Sequence, residues 1–177
     1  MTSTPAPAVA GLPIPVDRDA FLRTLIGDLA EVLQDVVGLE DARGFVSLVG
    51  RRTGERLDAD YRAALGTDRL SPDQVAEVLV DLKARIQGRF RVVEADSTRI
   101  MFVNDACPFG DRVHGRPALC MMTANVFGTI AADNLGYAKV ELRETIADGA
   151  RGCRVVLHLA PTEAAAAATG HEHFGGA

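Results

Sequence analysis

The chain has 177 residues, of which 47% are hydrophobic and 24% are charged, and its formal net charge is −5. This length suits one domain with a sizeable core and is short for two. The acidic balance disfavours a nucleic-acid-binding surface, which normally needs a basic patch. No apolar run is long enough to cross a bilayer, and residues 1–16 carry none of the basic residues of a secretory signal. We therefore expect a cytoplasmic protein that binds neither membrane nor nucleic acid directly.

The N-terminal part of the chain predicts a disordered tail followed by a helix. Residues 1–16 are rich in Pro and Ala and have little to bury, and we place a single domain at residues 17–160. Asp17 or Asp19 can cap the helix, and Gly38 ends it. Its apolar stripe consists of Phe21, Leu22, Leu25, Ile26, Leu29, Leu33, Val36 and Val37.

Two more helices are expected before the first strand. Ala42 to Leu65 has a helical pattern that its glycines weaken, so we expect a break near Gly54. Ser71-Pro-Asp-Gln74 forms a capping box with proline at the first helical position, which predicts a helix start. The expected buried face of this helix is Val75, Val78, Leu79, Leu82 and Ile86, and Gly88 ends it.

After Gly88 the period of the apolar residues changes to two, which indicates strands. We expect strands over residues 90–94, 99–103, 137–146 and 153–159, and a helix from Pro117 to about Asn134. The predicted fold class is therefore α+β, with N-terminal helices followed by a four-stranded antiparallel sheet and one helix inserted between two hairpins. Residues 161–177 are expected to form a flexible tail.

The three cysteines of the chain, Cys107, Cys120 and Cys153, each lie at or near the end of a predicted element. Such element ends can meet at one edge of a small sheet, so we expect the three thiols to converge. Cys120 falls in the first turn of the inserted helix, where unpaired N–H groups favour a thiolate. Thiolates are soft ligands, so the trio predicts a zinc or iron–sulfur site.

Three cysteines leave one coordination position open. It can be filled by Asp111, His114, His158, water or an external ligand. His158 follows Cys153 by five residues and so points to the opposite face of the strand. His114 lies in the loop between two candidate ligands, and the predicted metal ligands are therefore Cys107, Cys120, Cys153 and His114. The alternative is that the cysteines act as small buried apolar residues, which is common for free thiols.

Several segments resemble a known family. They are Asn104-Asp-Ala-Cys-Pro-Phe-Gly-Asp111, Pro117-Ala-Leu-Cys-Met-Met-Thr123, Asn125-Val-Phe-Gly128, Asn134-Leu-Gly-Tyr137-Ala-Lys and Gly152-Cys-Arg-Val-Val156. Together they resemble the methanogen output domain family over about residues 20–160, a family found alone or attached to signalling modules. The layout is also similar, more distantly, to the vinyl-reductase-like domains, in which a cysteine cluster binds zinc beside a small-molecule pocket.

The cysteine spacing also resembles the C-terminal sensor half of iron–sulfur-dependent repressors. Cys107 and Cys120 match the first two ligand positions of that pattern, and Cys153 matches its last cysteine approximately. This chain has Asp133 and Asn134 where the pattern has a further cysteine, so a four-cysteine cluster is excluded. The chain also lacks the winged-helix DNA-binding half, which implies regulation through a partner protein.

Three functions follow as hypotheses. The first is a non-enzymatic sensor domain that holds a metal or iron–sulfur centre and signals to a partner protein. Formation of a homodimer is compatible with this hypothesis. The second is a small-molecule-binding module with a structural zinc, whose pocket is lined by Phe45, Phe90, Phe109, Met122, Phe127 and Tyr137. The third is an enzyme with a cysteine nucleophile and His114 as base, for which no nucleophile elbow or phosphate-binding loop is present.

Overall fold

The computed structural model describes Ile14 and residues 17–176. The helices are α1 (Arg18–Val37), α2 (Leu39–Leu65), α3 (Pro72–Arg85), α4 (Cys120–Leu135) and α5 (Glu163–Ala167). The strands are β1 (Phe90–Ala95), β2 (Arg99–Asn104), β3 (Tyr137–Glu144), β4 (Cys153–His158) and β5 (His171–Phe174). Short 3₁₀ turns lie at Gly110–Val113, Pro117–Leu119 and Ile146–Asp148. The predicted α+β class is thus confirmed, whereas the predicted tail at residues 1–16 lies outside the described residues except for Ile14.

The helix starts follow from local sequence. The Asp17 carboxylate accepts a hydrogen bond from the Ala20 N–H at 2.8 Å, and so satisfies one of the free donors at the start of α1. At the start of α3, the Ser71 hydroxyl accepts from the Gln74 N–H at 3.2 Å, and the Gln74 side chain accepts from the Ser71 N–H at 2.9 Å. Both predicted caps are therefore confirmed.

The sheet has the strand order β1-β2-β4-β3-β5, and every neighbouring pair is antiparallel. The prediction of four strands was wrong, because the segment expected to be a flexible tail contains α5 and the edge strand β5. Strand β5 pairs with β3, and its His173 side chain packs where Gly128 of α4 has no Cβ. Its short polar sequence has no apolar alternation, so the pairing depends on tertiary contacts that the residue pattern does not show.

Helix α4 lies between the sheet and α2, and eleven of its sixteen residues are buried. Glycines of α2 allow this close approach. A Cβ atom at Gly50 would lie 2.9 Å from the Asn125 Cβ, and one at Gly54 would lie 2.9 Å from the Thr129 Cβ. The predicted break near Gly54 was therefore wrong, because α2 is continuous over 27 residues and its glycines mark the contact with α4.

A buried polar network joins α2, α4 and the α2–α3 loop. Asp58 is 1% exposed, and its carboxylate accepts from the Asn134 amide at 2.5 Å and from the Arg62 guanidinium at 2.7 Å. The Asn134 side chain also donates to the Ile130 carbonyl at 2.8 Å and accepts from the Leu70 N–H at 2.7 Å. Every buried group in this network thus has a partner, as an interior requires.

Two apolar segments are less buried than their sequences suggest. On α1 only Gly27 and Ala30 are buried, and most of the predicted apolar stripe is exposed to solvent. Ile86, expected on the buried face of α3, is 47% exposed because that helix ends at Arg85. None of the helices that the structure describes has the length and hydropathy needed to span a membrane.

Candidate functional site: a cysteine-lined cavity

An apolar cavity lies where β2 ends and β4 begins, beside the start of α4. Its walls are Phe90, Asn104, Cys107, Pro108, Phe109, Val113, Leu119, Cys120, Thr123, Leu142, Thr145, Ile146, Ala147, Cys153 and Val155. The three cysteines thus lie on the walls of one cavity, as their positions at element ends predicted. The space open to the centres of water-sized molecules is about 30 Å³, which is room for about two waters.

Asn104 organises the loop that carries Cys107. Its side-chain oxygen accepts from the N–H groups of Arg89 at 3.0 Å and Ala106 at 3.2 Å, which turns the chain at the end of β2. Its amide nitrogen lies 3.8 Å from the Cys153 sulfur, on the residue that pairs with Asn104 in the sheet. One buried asparagine therefore fixes the relative positions of two of the three thiols.

Cys120 does not lie at an open helix start. The 3₁₀ turn Pro117–Leu119 leads directly into α4, and the Cys120 N–H bonds to the Pro117 and Ala118 carbonyls. Burial, reinforced by the neighbouring thiols, raises the pKa of Cys120 to about 12. The expectation of a stabilised thiolate was therefore wrong, because the Cys120 N–H is already bonded and burial disfavours the charged form of the thiol. Burial also raises the pKa of Cys107.

The predicted fourth ligand, His114, is exposed and lies on a separate shallow pocket with Cys107 and Asp111. His158 lies on the opposite face of the sheet, where its ring is 3.3 Å from the Glu141 carboxylate. Among residues 17–176, no group of three or more Cys, His, Asp and Glu side chains is arranged to hold a metal ion. The metal site at Cys107, Cys120, Cys153 and His114 stays a prediction.

Lys83 of α3 is a charged residue at this site that the sequence analysis missed. It is 5% exposed, and its ammonium donates to the Thr123 hydroxyl at 2.8 Å. The Nζ atom lies 5.4 Å from the ring centroids of both Phe90 and Phe127, a cation–π arrangement. Burial lowers the pKa of Lys83 to about 8, and the nearby Cys107, Cys153 and Cys120 oppose that shift.

The sequence contained one signal for Lys83. Val75 and Leu79 are fully buried residues of α3, and position 83 continues their four-residue spacing. A lysine at that spacing is placed on the apolar face of the helix, where its charge needs a partner. Nothing comparable marks Thr123, whose role depends on how α3 and α4 pack.

The aromatic pocket of the second hypothesis is only partly assembled. Phe90 and Phe109 line the cavity, and Phe127 packs edge-to-face against Phe90 with ring centroids 5.5 Å apart. Phe45 is 57% exposed, and Tyr137 packs against Phe174 at the far edge of the sheet. Met122 lies on a neighbouring groove. The cavity is thus smaller than that pocket and is lined by thiols as well as aromatic rings.

Comparison with known proteins gives one family match and several similar folds. The family model described as methanogen output domain 1 matches residues 25–158. The phenol-responsive sensory domain of the transcription activator PoxR, solved with phenol, has a TM-score of 0.62 at 19% identity, over 82% of this chain and 76% of that chain. Trafficking protein particle complex subunit 3 from Naegleria fowleri, covalently bound to palmitic acid, has a TM-score of 0.58 at 16% identity, over 79% of this chain and 93% of that chain. No curated protein sequence matches this chain.

Proposed function

The chain belongs to the methanogen output domain 1 family, and from this premise we propose that it is a sensory domain whose effector occupies the cysteine-lined cavity. The single observation that carries the proposal is the convergence of the loop after β2, the start of α4 and the start of β4 on one apolar cavity. Ligand sites are commonly concave and apolar with a few polar groups, here Asn104, Thr123 and Thr145.

The two similar folds support an apolar effector. One was solved with phenol and the other covalently bound to palmitic acid, so two proteins of similar fold carry molecules with a large apolar part. The raised pKa values of Cys107 and Cys120 also support binding over thiol chemistry, because the thiolate is the nucleophilic form. The effector would change the packing of three elements at once, which gives a route to a signalling partner.

The cavity must expand to admit a ligand. Phenol has a volume several times that of water, and the closed cavity holds about two waters. A groove of about 360 Å³ adjoins the cavity and shares Pro108, Phe109 and Thr123 with its walls. A shift of the Pro108–Phe109 segment would join the two spaces.

Calorimetric titration with phenol tests this proposal. Ala147 lines the cavity, so Ala147→Val fills part of it and is expected to weaken phenol binding by about tenfold or more. Ala165 is fully buried in α5 and does not line the cavity, so Ala165→Val is the matched control and should bind as the wild type does. Thermal unfolding of both variants separates lost binding from lost fold. Absence of phenol binding to the wild type, or equal loss in the two variants, contradicts the proposal for this probe.

A metal or iron–sulfur centre is the second candidate. The observation in its favour is the shared cavity of Cys107, Cys120 and Cys153, whereas the exposed position of His114 weighs against the predicted fourth ligand. Zinc, iron and sulfide assays on the anaerobically purified protein used for the phenol titration distinguish the two. Metal that the wild type binds stoichiometrically and that the Cys153→Ser variant does not bind would favour a metal or iron–sulfur centre.

A further inference from the structure

We propose that the effector is a small apolar acid whose anionic oxygen is received by Lys83, an inference that rests on the sensory function proposed above. The feature behind it is a buried ammonium group beside an apolar cavity. Two residues, Thr123 and Phe90, contact the Lys83 ammonium and also line the cavity.

The Lys83 ammonium is incompletely paired. It has three N–H donors, and its side-chain hydrogen-bond partner is the Thr123 hydroxyl. Among the described residues 17–176, no carboxylate forms a salt bridge with it. The rings of Phe90 and Phe127 stabilise positive charge but accept no strong hydrogen bond. A buried charge of this kind is costly unless an anionic partner completes it. A carboxylate or phenolate oxygen of a ligand would be such a partner.

The adjoining groove provides a matching approach for an acid. Lys83 itself lies on the groove, together with Arg23 and Arg85, and the acidic group there is Asp19. Because Asp19 is paired with Arg23 at 2.8 Å and Arg85 is paired with Asp81 at 2.6 Å, the remaining charge along the groove is the positive charge of Lys83. An acid can therefore enter from the groove with its apolar part directed past Phe109 into the cavity.

The protonation of Lys83 fits this role. With a pKa of about 8, the free protein carries mostly ammonium at neutral pH and mostly neutral amine well above pH 8. An anion bound beside the amine would raise that pKa, since an opposite charge favours the charged form. Binding of an acid should therefore weaken as the pH rises above about 8, whereas binding of a neutral molecule should not.

Benzoate and toluene are matched probes, because they share a ring and differ in the carboxylate. We expect Lys83→Met to weaken benzoate binding by about tenfold or more and to leave toluene binding unchanged or tighter. Lys139 is also buried, at 7% exposure, but lies on the opposite face of the sheet next to His158. Lys139→Met is therefore the control and should bind both probes as the wild type does.

The outcomes separate this inference from the proposed function. If toluene binds but benzoate affinity is independent of Lys83 and of pH, the acid-binding role fails and the sensory cavity stands. If phenol, toluene and benzoate all fail to bind the wild type, both the acid-binding role and the proposed sensory cavity fail. Should Lys83→Met not fold, titrations of the wild type with benzoate between pH 7 and pH 10 test the same claim, and a flat profile overturns it.

A second inference comes from an independent feature, an apolar stripe on α1. The stripe is formed by five residues at intervals of three and four, each between 42% and 76% exposed: Phe21, Leu25, Leu29, Val32 and Val36. This is the spacing of a helix seam that packs against another helix. A contiguous exposed apolar surface of this kind marks an interaction site.

The charges of α1 indicate what covers the stripe. The N-terminal half carries Arg18, Asp19 and Arg23, and because Asp19 is paired with Arg23 its remaining charge is that of Arg18. The C-terminal half carries Asp28, Glu31 and Asp35, of which Glu31 is paired with Arg116. Two copies packed antiparallel place the Arg18 end of each helix against the acidic half of the other, whereas parallel packing places the acidic halves together. We infer that the chain forms a two-fold symmetric dimer through antiparallel α1 helices.

Sedimentation and crosslinking test this dimer. Leu29→Glu should give a monomer, while Leu65→Glu, a similarly exposed position at the C-terminal end of α2, should not. For orientation, Phe21→Cys should crosslink poorly to itself but well to Val36→Cys in a mixed sample, since these positions lie about 22 Å apart along the helix. Wild-type protein controls for the native cysteines. A monomeric wild type, or self-crosslinking of Phe21→Cys, overturns the inference.

Discussion

Asn134→Ala is expected to lower the free energy of unfolding by about 3 kcal/mol. The substitution removes an amide that donates to the buried Asp58 carboxylate and accepts from the Leu70 N–H. It therefore leaves a charged group short of a partner and a backbone donor without one, in a region where water is excluded. Urea denaturation monitored by circular dichroism measures the effect.

A double-mutant cycle and a matched ion pair make this test specific. Asp58→Ala with Asn134→Ala should cost less than the sum of the two single changes, because the pair lies in one network. Arg51 and Glu55 form an ion pair with the same four-residue spacing on α2, but both are exposed. Glu55→Ala should change stability little. Equal effects of Asn134→Ala and Glu55→Ala would mean that the buried network is not stabilising.

Gly54→Ala is the second substitution with a large expected effect. A Cβ at this position would meet the Thr129 Cβ at 2.9 Å and the Val126 Cα at 3.3 Å, so α2 and α4 would have to move apart. Alanine favours a helix over glycine by about 1 kcal/mol, but overpacking costs about 1–3 kcal/mol, and here the obstacle is backbone and Cβ atoms that cannot rotate away. We expect net destabilisation of about 1–2 kcal/mol, measured by urea denaturation.

Gly44 provides the matched control within the same helix. A Cβ there meets nothing within 4 Å, so Gly44→Ala should stabilise the protein by up to about 1 kcal/mol through helix propensity alone. The two substitutions are chemically identical and should have opposite signs. Stabilisation by both would show that α2 and α4 are not closely packed at Gly54.

Features encoded by neighbouring residues could be predicted from the sequence. The caps at Asp17 and Ser71 depend on side chains that bond within their own turn. The convergence of the cysteines was also predictable, since the ends of neighbouring elements lie close together at the edge of a small sheet. The α2 glycines were misinterpreted as a helix break. Their unfavourable helix propensity can be read from the local sequence, whereas the contact with α4 that offsets it involves residues far away in the chain.

The chemistry of the site was less accessible to sequence reasoning. Whether Cys120 is a thiolate depends on which atoms surround it, and burial, reinforced by Cys153 and Cys107, raises its pKa where a lowered pKa was expected. Lys83 acts through Thr123, forty residues later in the chain. The exposure of α1 likewise could not be inferred from its periodic pattern, because an apolar stripe fits a core and an interface equally well.

The position of β4 has a consequence for biosynthesis. This strand lies between β2 and β3 although it is the fourth in chain order, so until residues 153–158 are available β2 is paired with β1 alone and β3 has no partner. A nascent polypeptide that ends before Cys153 therefore presents open strand edges on β2 and β3, which are sites for pairing with other chains. The edges of β2 and β3 that face each other across this gap stay open until β4 joins both strands.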